Sequence, residues 1–371
     1  MSKITQIRPT IIHVISYYPP HLGGMEKGTA LRAERFVDRG YPVLVYTSDI
    51  GYSKEAAYNT KVQVYYLKSI ELAHTPIMFT LFFRLLALPR NSLIHLHIAQ
   101  AFSPEIVYLI SKLKGLPYIA HIHLDVDPSG PLGFFLETYK KWFLKRVLKS
   151  AAKILCQTES QKSIMASKYA LPLESIVVIP NGVAEEYFVD KSTSQTPIPH
   201  LLFVGRLAAQ KNLPLLIEAV AQMQTSVFLD IVGEGELKEN LEALIQEKRL
   251  QNVQLHGRKT GSELLEFYKS ADIFVLPSLK EGLSNAMLEA LAAGLPVVAS
   301  NLPEIRQILG ESAVLIQDPT AAKYAKTLDA LLSDKQAIQN LSILSVQKAR
   351  SYSWENVLDA TEDLYKETCM V

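Results

Sequence analysis

The chain has 371 residues, enough for two hydrophobic cores of ordinary size. Its 48% hydrophobic and 20% charged residues are typical of a globular protein, so the composition excludes a disordered or fibrous chain. The formal net charge of +1 argues against a general nucleic-acid binder, and two cysteines, Cys156 and Cys369, are too few for a disulfide framework or a cysteine-rich metal site.

The chain carries no segment that predicts secretion or membrane insertion. The first nine residues include charges but no apolar core before a cleavage site, so we expect no signal peptide. The most apolar run, residues 77–88, contains Arg84 and is too short to span a bilayer. Because the low cysteine content also fits a reducing compartment, we predict a cytoplasmic protein.

In the first half of the chain, short apolar runs alternate with helical or loop segments, which predicts a doubly wound parallel sheet. The strand-like runs are 11–16, 42–47, 62–67, 93–97, 117–123, 153–157 and 176–180. A double glycine, Gly23 and Gly24, lies between the first run and a helix predicted from about Lys27 to Arg39. Glycines there let the backbone approach a ligand ahead of a helix N-terminus, although they can also be only a turn. No G-x-G-x-x-G follows the strand, which argues against a dehydrogenase.

Two further stretches of the first half are informative. His121 and His123 end the fifth strand on one face, where neutral imidazole can donate or accept a hydrogen bond near pH 7; a satisfied core histidine is the alternative.

Residues 134–149 place apolar side chains at helical spacing among basic ones. This stretch fits a helix that lies on an anionic membrane, or a helix that packs on its own sheet with a solvated basic face. Its apolar members are Phe135, Tyr139, Trp142, Phe143 and Val147, and its basic ones are Lys140, Lys141, Lys145, Arg146 and Lys149.

Residues 191–199 are polar, contain prolines and lack periodicity, so they are predicted to link a first domain (1–190) to a second (200–351). The second domain begins with a strand ending at Gly205, and Arg206 and Lys211 bracket the loop that follows. One fork-shaped guanidinium and one mobile ammonium suit a diphosphate, although surface basic residues are commonly only solvated. Later strands of this domain lead to a glycine turn at Gly233 and to Arg258.

The most informative stretch is 272–294, an apolar strand followed by a loop and a helix. Glu281 lies in the loop, and Glu289 lies in the first turns of the helix. Free N–H groups at a helix N-terminus favour phosphate, and the carboxyl end of a parallel strand is where open α/β sheets bind ligands. Two carboxylates beside such a site can accept hydrogen bonds from sugar hydroxyls, so the stretch suits a nucleotide sugar. The alternative is that both glutamates are ordinary solvated charges, since two Glu residues eight apart are common.

Glu281-x7-Glu289, followed by Ala-x2-Ala-Gly-Leu-Pro-Val-Val-Ala-Ser, resembles the signature of retaining glycosyltransferases of the GT-B fold in family 4 (glycosyl transferases group 1). The family's motifs recur in order along nearly the whole chain. The resemblance implies two Rossmann-like domains that face each other across a cleft, with the donor mostly on the second. It also implies that a last helix, within 352–371, packs back onto the first domain.

The resemblance further implies the roles of individual residues. Arg206 and Lys211 would stabilise the departing diphosphate, Glu281 would orient the donor sugar, and His123 would contact that sugar. The other residues expected to bind the donor are Gly23, Gly24, Gly205, Gly233, Arg258, Gly282, Leu283, Ser284, Asn285 and, at the ribose, Glu289. GT-B enzymes generally work without a divalent ion, so we expect no metal and do not assign one to Asp125-x-Asp127, which superficially resembles the metal motif of the other glycosyltransferase fold.

The implied reaction is transfer of a hexosyl unit, with retention, from a UDP- or GDP-sugar to a glycan or lipid-linked acceptor in cell-surface polysaccharide or glycolipid synthesis. Residues 134–149 resemble the region where family members with lipid-linked acceptors meet the bilayer, so a peripheral position at the inner face of the plasma membrane is part of this prediction. The alternatives are a sugar-nucleotide epimerase or phosphorylase on the same fold, and a catalytically inactive binding subunit.

Overall fold

The computed structural model describes residues 8–21, 23–52, 60–72, 75–123, 139–189 and 197–369. The chain forms two compact units, Met1–Pro180 with Val357–Val371, and Asn181–Asn356. The division therefore lies earlier than the predicted boundary at 191–199. The reason is that residues 181–189 pack on the second unit: the Val183 N–H donates to the Tyr352 carbonyl (2.8 Å), and Tyr187 is buried in the core of that unit.

The first unit is built on a parallel sheet of seven strands in the order β3-β2-β1-β6-β7-β8-β9. A separate antiparallel hairpin, β4–β5, lies in the stretch between β3 and β6. The strands are β1 (Thr10–Val14), β2 (Val43–Ser48), β3 (Gln63–Leu67), β4 (Ser69–Leu72), β5 (Thr75–Met78), β6 (Ser92–Ile98), β7 (Tyr118–Ile122), β8 (Lys153–Cys156) and β9 (Ile176–Val178). All seven strands of the sheet were predicted, whereas the hairpin was not.

Helices cover the first sheet, and its central strands are buried on both faces. They are α1 (Gly24–Asp38), α2 (Leu81–Leu86), α3 (Ser103–Lys114), α4 (Lys145–Ser150) and α5 (Glu159–Tyr169), and a π-helical turn, Lys140–Leu144, precedes α4. Leu85, Ile110 and Leu148, from α2, α3 and α4, join the same buried cluster as Ile94 and Leu96 of β6. The apolar run 77–88 is therefore the end of β5 and a short core helix, and no described helix has the length and apolarity needed to cross a membrane.

The second unit contains a parallel sheet of six strands in the order β12-β11-β10-β13-β14-β15. These are β10 (His200–Val204), β11 (Phe228–Val232), β12 (Val253–Leu255), β13 (Ile273–Leu276), β14 (Val297–Ser300) and β15 (Ala313–Ile316). Its helices are α6 (Leu213–Gln222), α7 (Lys238–Glu247), α8 (Gly261–Ser270), α9 (Asn285–Ala292), α10 (Pro303–Leu309), α11 (Ala321–Ser333) and α12 (Lys335–Arg350). Both sheets reverse their strand order once, at β1/β6 and at β10/β13, and such switch points open the crevices in which α/β sheets bind ligands.

The last helix, α13 (Trp354–Cys369), begins in the second unit and has most of its length in the first. Trp354 is 8% exposed, and a Cβ atom added to Gly182 would lie 2.6 Å from its indole, so Trp354 is a packing residue. In the first unit, Arg39 binds Asp359 (2.7 Å) and Glu362 (2.9 Å), and the Tyr41 hydroxyl donates to Glu362 (3.0 Å). These contacts fix the helix against the end of α1 and the turn that leads into β2.

Glu362→Gln is expected to lower the free energy of unfolding by about 1–2 kcal/mol at pH 7, because it weakens charge-assisted hydrogen bonds at a half-buried site. Burial alone would raise the pKa of Glu362, but hydrogen bonds from Lys366, Tyr41 and Arg39 outweigh it and hold the pKa below its ordinary 4.5. A carboxyl group whose pKa is lowered by folding stabilises above its unfolded pKa and loses this effect as the pH falls through the folded pKa. Urea unfolding at pH 7 and pH 3 should therefore show the difference between variant and wild type shrinking in acid.

The matched control is Asp363→Asn, one residue along, whose side chain is 81% exposed. It should change the stability by less than about 0.5 kcal/mol. Equal effects of the two substitutions would contradict the assignment of Glu362 as the residue that fixes α13.

Candidate functional site

The switch point of the second sheet joins the loops that follow β10 and β13. The Leu279 N–H donates to the Gln210 carbonyl (2.8 Å), and beside this contact the Lys211 Nζ lies 2.5 Å from Glu281 Oε1. The two side chains are only 13% and 7% exposed. Taking two charges out of water costs several kcal/mol per ion, so a buried pair at this position is better explained by function than by stability. The structure thus brings together two residues that the sequence analysis had assigned to different parts of the donor.

Helix α9 begins at Asn285, four residues after Glu281. Ser284 is its N-cap, and the Ser284 hydroxyl accepts a hydrogen bond from the Met287 N–H (3.3 Å). Asn285 accepts a hydrogen bond from Asn181 (3.2 Å), and a Cβ atom added to Gly282 would meet no atom within 4 Å. The loop before α9 therefore has space on the side of Gly282, and the positive end of the helix dipole lies at Asn285.

Glu289, in the second turn of α9, is held by two tyrosines that the sequence analysis did not identify. The Tyr268 hydroxyl donates to Glu289 (2.8 Å), and the rings of Tyr187 and Tyr268 meet edge to face at 5.5 Å. Burial, followed by the negative charge of Glu289, raises the pKa of both phenols. Because both rings are buried, they fix the carboxylate of Glu289 from the core side.

Gly205 and Gly233 lie at the carboxyl ends of β10 and β11, where the two turns touch. The Gly205 N–H donates to the Val232 carbonyl (3.0 Å), and the Gly233 N–H donates to the Gly257 carbonyl (2.8 Å). A Cβ atom at Gly233, whose φ is +149°, would lie 1.8 Å from the Gly205 oxygen. Gly233 is therefore needed for the close approach of these turns, whatever ligand they face.

The predicted basic residues Arg206 and Arg258 are exposed. The Arg206 side chain is 76% exposed, and its Nε lies 3.8 Å from Glu236 Oε2 at the surface. In water, such a pair contributes little to stability, so the guanidinium can be released to a ligand at low cost. Lys211 lies in the buried pair with Glu281, whereas Arg206 at the start of the same loop is solvated.

In the first unit, Gly23 is the N-cap of α1 and Gly24 is its first residue. Glu26 is 6% exposed, and a Cβ atom at Gly23 would lie 2.1 Å from its Oε2. The His21 Nδ1 lies 3.3 Å from Glu26 Oε1, and burial raises the pKa of Glu26. The space beside the double glycine is thus occupied by a carboxyl group, and the phosphate-facing role of Gly23 and Gly24 stays a prediction.

Five histidines line one face of the first sheet near its switch point. They are His13 on β1, His95 and His97 on β6, His121 on β7, and His123 directly after β7. Of these, the sequence analysis identified only His121 and His123. Alternation of His95 and His97 along a strand is a signal that they share a face. Their proximity to His13 and His123 depends on the order in which the strands pair.

The histidines form two hydrogen-bonded chains. In one chain, His13 Nδ1 lies 2.9 Å from His97 Nε2, and His97 Nδ1 lies 2.8 Å from His123 Nε2. In the other, His95 Nε2 lies 3.0 Å from His121 Nδ1. Burial, with the nearby positive charge of Arg32, lowers the pKa of His13 and of His123 to about 3, so both rings are neutral at physiological pH.

Two sets of three histidines, His13/His95/His97 and His97/His121/His123, have ring nitrogens close enough to consider a metal. Two nitrogens that bind one tetrahedral zinc at about 2 Å lie about 3.3 Å apart. The spacings of 2.9 and 2.8 Å within these sets are instead hydrogen-bond lengths, and the buried Arg32 adds positive charge beside the rings. The arrangement fits a hydrogen-bonded chain better than a set of metal ligands. Asp125 and Asp127 lie outside the described residues.

Two family models match consecutive parts of the chain. Glycosyltransferase Family 4 matches residues 22–187, and Glycosyl transferases group 1 matches residues 185–344. The chain is 26% identical to an uncharacterised glycosyltransferase of Methanocaldococcus jannaschii, over 94% of this chain and 96% of that protein. It is 25% identical to one subunit of the human phosphatidylinositol N-acetylglucosaminyltransferase, over 96% of this chain and 75% of the human one.

Among solved structures, the chain is similar to Anabaena Alr3699/HepE in complex with UDP-glucose. The TM-score is 0.75 at 15% sequence identity, and the match covers 97% of this chain and all of that one. This similarity shows a shared GT-B fold of parallel sheets covered by helices. With both family models matching in order, the chain belongs to the glycosyltransferases of family 4, the glycosyl transferases group 1.

Proposed function

We propose that this glycosyltransferase moves a hexosyl unit from a UDP- or GDP-sugar, with retention at the anomeric carbon, to a glycan or lipid-linked acceptor in cell-surface polysaccharide or glycolipid synthesis. The observation that carries the proposal is the buried Lys211–Glu281 pair at the switch point of the second sheet. It sets a cation for phosphate and a carboxylate for sugar hydroxyls side by side. The complex of the Anabaena protein with UDP-glucose supports the donor class, and the name of the human relative supports a lipid-linked acceptor.

In this proposal the leaving diphosphate is stabilised from two sides. The ammonium of Lys211 has three N–H donors, of which the contact with Glu281 uses one, so others remain for phosphate oxygens. Arg206 leaves its exposed pair with Glu236 and binds the diphosphate through two N–H groups. The N–H groups at the start of α9 add partial positive charge. The Met287 N–H is not among the donors left for the ligand, because the Ser284 hydroxyl already accepts from it.

The two glutamates serve different hydroxyl groups. Glu281 keeps one oxygen on Lys211 and offers the other to the donor sugar, so its position is coupled to that of the diphosphate. Glu289, fixed by Tyr268 from the core side, binds the ribose hydroxyls. In the transition state, positive charge develops on the sugar and negative charge develops on the diphosphate. The carboxylates stabilise the first, and the cations stabilise the second.

We further propose that catalysis needs no metal ion. The charges of Lys211 and Arg206 and the dipole of α9 would supply the neutralisation that a divalent cation provides elsewhere. One carboxylate oxygen of Glu281 is paired with Lys211, so we assign Glu281 to orienting the donor sugar. The departing diphosphate then assists deprotonation of the acceptor hydroxyl on the face that the leaving group vacates.

Lys211→Ala is expected to reduce kcat/KM for sugar transfer by about 10²–10³-fold, because it removes a positive charge that acts on the leaving group. Glu281→Gln should also reduce kcat, since the amide cannot hold the ammonium as a carboxylate does. Initial rates with and without EDTA would measure both effects and the metal dependence together.

The matched control is Lys238→Ala, an exposed lysine of the same unit that lies 3.8 Å from Glu242. It should leave the rate unchanged. Near-normal turnover of Glu281→Gln would remove Glu281 from the chemistry, and loss of wild-type activity in EDTA would contradict metal independence. A thermal unfolding curve of each variant without ligand shows whether that variant is folded.

We also propose that the first unit contacts an anionic membrane through α4 and the π-helical turn before it. Trp142 and Phe143 are 56% and 54% exposed, and the guanidinium of Arg146 lies 5.9 Å from the Trp142 ring centroid. Helix α3 packs beside α4 and exposes Leu113 (61%), and α2 packs beside α3 and exposes Phe83 (68%). Exposed aromatic residues among basic ones suit the interface of a bilayer with anionic lipids, which are concentrated in the cytoplasmic leaflet.

The variant Trp142→Ala/Arg146→Glu/Lys149→Glu is expected to lose co-sedimentation with vesicles that contain phosphatidylserine, since it removes apolar insertion and reverses two charges. The control Lys326→Glu/Lys335→Glu makes the same charge reversals at exposed positions of the second unit and should bind as the wild type does. Equal binding of both variants would exclude this face as the membrane contact.

A further inference from the structure

The chain His13–His97–His123 runs through the interior of the first unit, where apolar side chains would pack at lower cost. The rings of His13 and His97 are 0% and 2% exposed. The far end of the chain, His13 Nε2, has no hydrogen-bond partner among the described residues, and an unsatisfied buried group costs about 1–3 kcal/mol. A buried polar network that is retained at such a cost requires an explanation beyond packing.

The proton positions in this chain follow from its last member. Gln157 Nε2 lies 3.2 Å from His123 Nδ1, and an amide nitrogen can only donate, so His123 Nδ1 accepts. A neutral His123 then carries its proton on Nε2 and donates it to His97 Nδ1. By the same logic His97 donates from Nε2 to His13 Nδ1, and His13 carries an unpartnered Nε2–H.

In the described part of the structure, the second chain has no donor-only group at its end. Tyr365 OH lies 2.6 Å from His95 Nδ1, and His95 Nε2 lies 3.0 Å from His121 Nδ1. A phenol hydroxyl both donates and accepts, so this chain does not fix its own proton positions. His121 Nε2, like His13 Nε2, has no hydrogen-bond partner among the described residues. The Nε2–H assignment is therefore made for the three rings of the first chain, His13, His97 and His123.

We propose that His97 is a positioning residue which, together with His13, holds His123 as a neutral Nε2–H tautomer and presents His123 Nδ1 as a hydrogen-bond acceptor to a substrate hydroxyl. Of the three contacts in the chain, that between Gln157 and His123 is the longest. His123 is also the only one of the three histidines that is partly exposed. A hydroxyl group that displaces the Gln157 amide would meet an acceptor whose direction is already fixed. The substrate part of this inference rests on the proposed sugar transfer.

The consequence is that His123 orients a hydroxyl and does not remove its proton. Among the residues that the structure describes, the groups that face the chain are the Thr29 hydroxyl, 3.4 Å from His97 Nδ1, the Arg32 guanidinium, which acts on His13 and His123 through its charge, the second histidine pair and Gln157. None of these is a carboxylate that could stabilise an imidazolium. A general base at His123 would place a second positive charge beside that of the buried Arg32, which disfavours the imidazolium.

Long-range ¹H–¹⁵N correlation spectra of the ¹⁵N-histidine-labelled protein test the tautomers without any substrate. We expect His13, His97 and His123 to be protonated at Nε2 and unprotonated at Nδ1, and to stay neutral from pH 7.5 to pH 5. Single variants at each of these positions assign the signals, and the same spectra after addition of Zn²⁺ should be unchanged.

Substitutions at His97 test its role in positioning. Gln offers one acceptor and one N–H donor and can replace both contacts, whereas Leu of similar size offers neither. His97→Leu should raise KM for the sugar substrate or lower kcat by about tenfold and mix the tautomers of His123, and His97→Gln should restore both properties. The pH profile of kcat/KM should show no ionisation of His123 near 6.5 in the wild type.

A proton on His123 Nδ1, protonation of His123 near pH 6.5, or displacement of the ring protons by stoichiometric Zn²⁺ would each overturn the proposal. Wild-type kinetics in a folded His97→Leu variant would overturn the role in positioning. If the spectra are as expected but no sugar is transferred, the proposed function fails while the tautomer assignment stands. If sugar is transferred and the tautomers are reversed, only the present inference fails.

Discussion

The structure of the candidate site depends on one interaction, the buried ion pair between Lys211 and Glu281. It lies where the strand order of the second sheet reverses, and it joins the loop after β10 to the loop after β13. Each partner alone would be a buried charge without compensation, so the two loops are held in one arrangement even without ligand. This accounts for a site that is already formed, in which the diphosphate and the sugar are bound by residues that fix each other.

The other parts of the second unit support this pair. Gly205 and Gly233 allow their turns to approach more closely than any larger residue permits, and Ser284 sets the first turn of α9. Glu289 is fixed by Tyr268 and Tyr187 from the core of the unit. The first unit differs, because its site face carries neutral histidines in hydrogen-bonded chains instead of an ion pair. Burial, and then the charge of the buried Arg32, disfavour a positive charge on these rings.

The sequence predicted much of this fold because its strands are apolar runs bounded by Gly and Pro, and such runs depend on local pattern. The strand that ends at Gly205 was predicted in this way. The hairpin β4–β5 was missed because its first strand, which includes Ile70 and Glu71, is mostly exposed, and its second strand has only four residues and contains a proline, Pro76. The boundary between the units was placed too late because the attachment of residues 181–189 depends on contacts with Tyr352, far along the chain.

The site residues also fall into two groups, those that a local pattern predicts and those that depend on contacts between distant parts of the chain. Lys211 and Glu281 could be proposed from motif and loop position, but their pairing across seventy residues follows only from the strand order. The tyrosines that hold Glu289 and the partners of His123 come from elements distant in sequence, and no local pattern marks them. The binding residues that lie in a single loop were therefore predictable from the sequence, whereas the residues that orient the binding residues were not.

The most direct test of the central claim is the thermal stability of the protein against a panel of UDP-, GDP-, ADP- and dTDP-sugars, with and without EDTA. A ligand at about 100 times its Kd adds about 2.7 kcal/mol to the free energy of unfolding, which is readily visible as a rise in Tm. We predict a rise with UDP- or GDP-sugars that EDTA does not change and that Lys211→Ala abolishes. No rise with any nucleotide sugar, or a rise that survives the loss of Lys211, would contradict the assignment of the donor site to this ion pair.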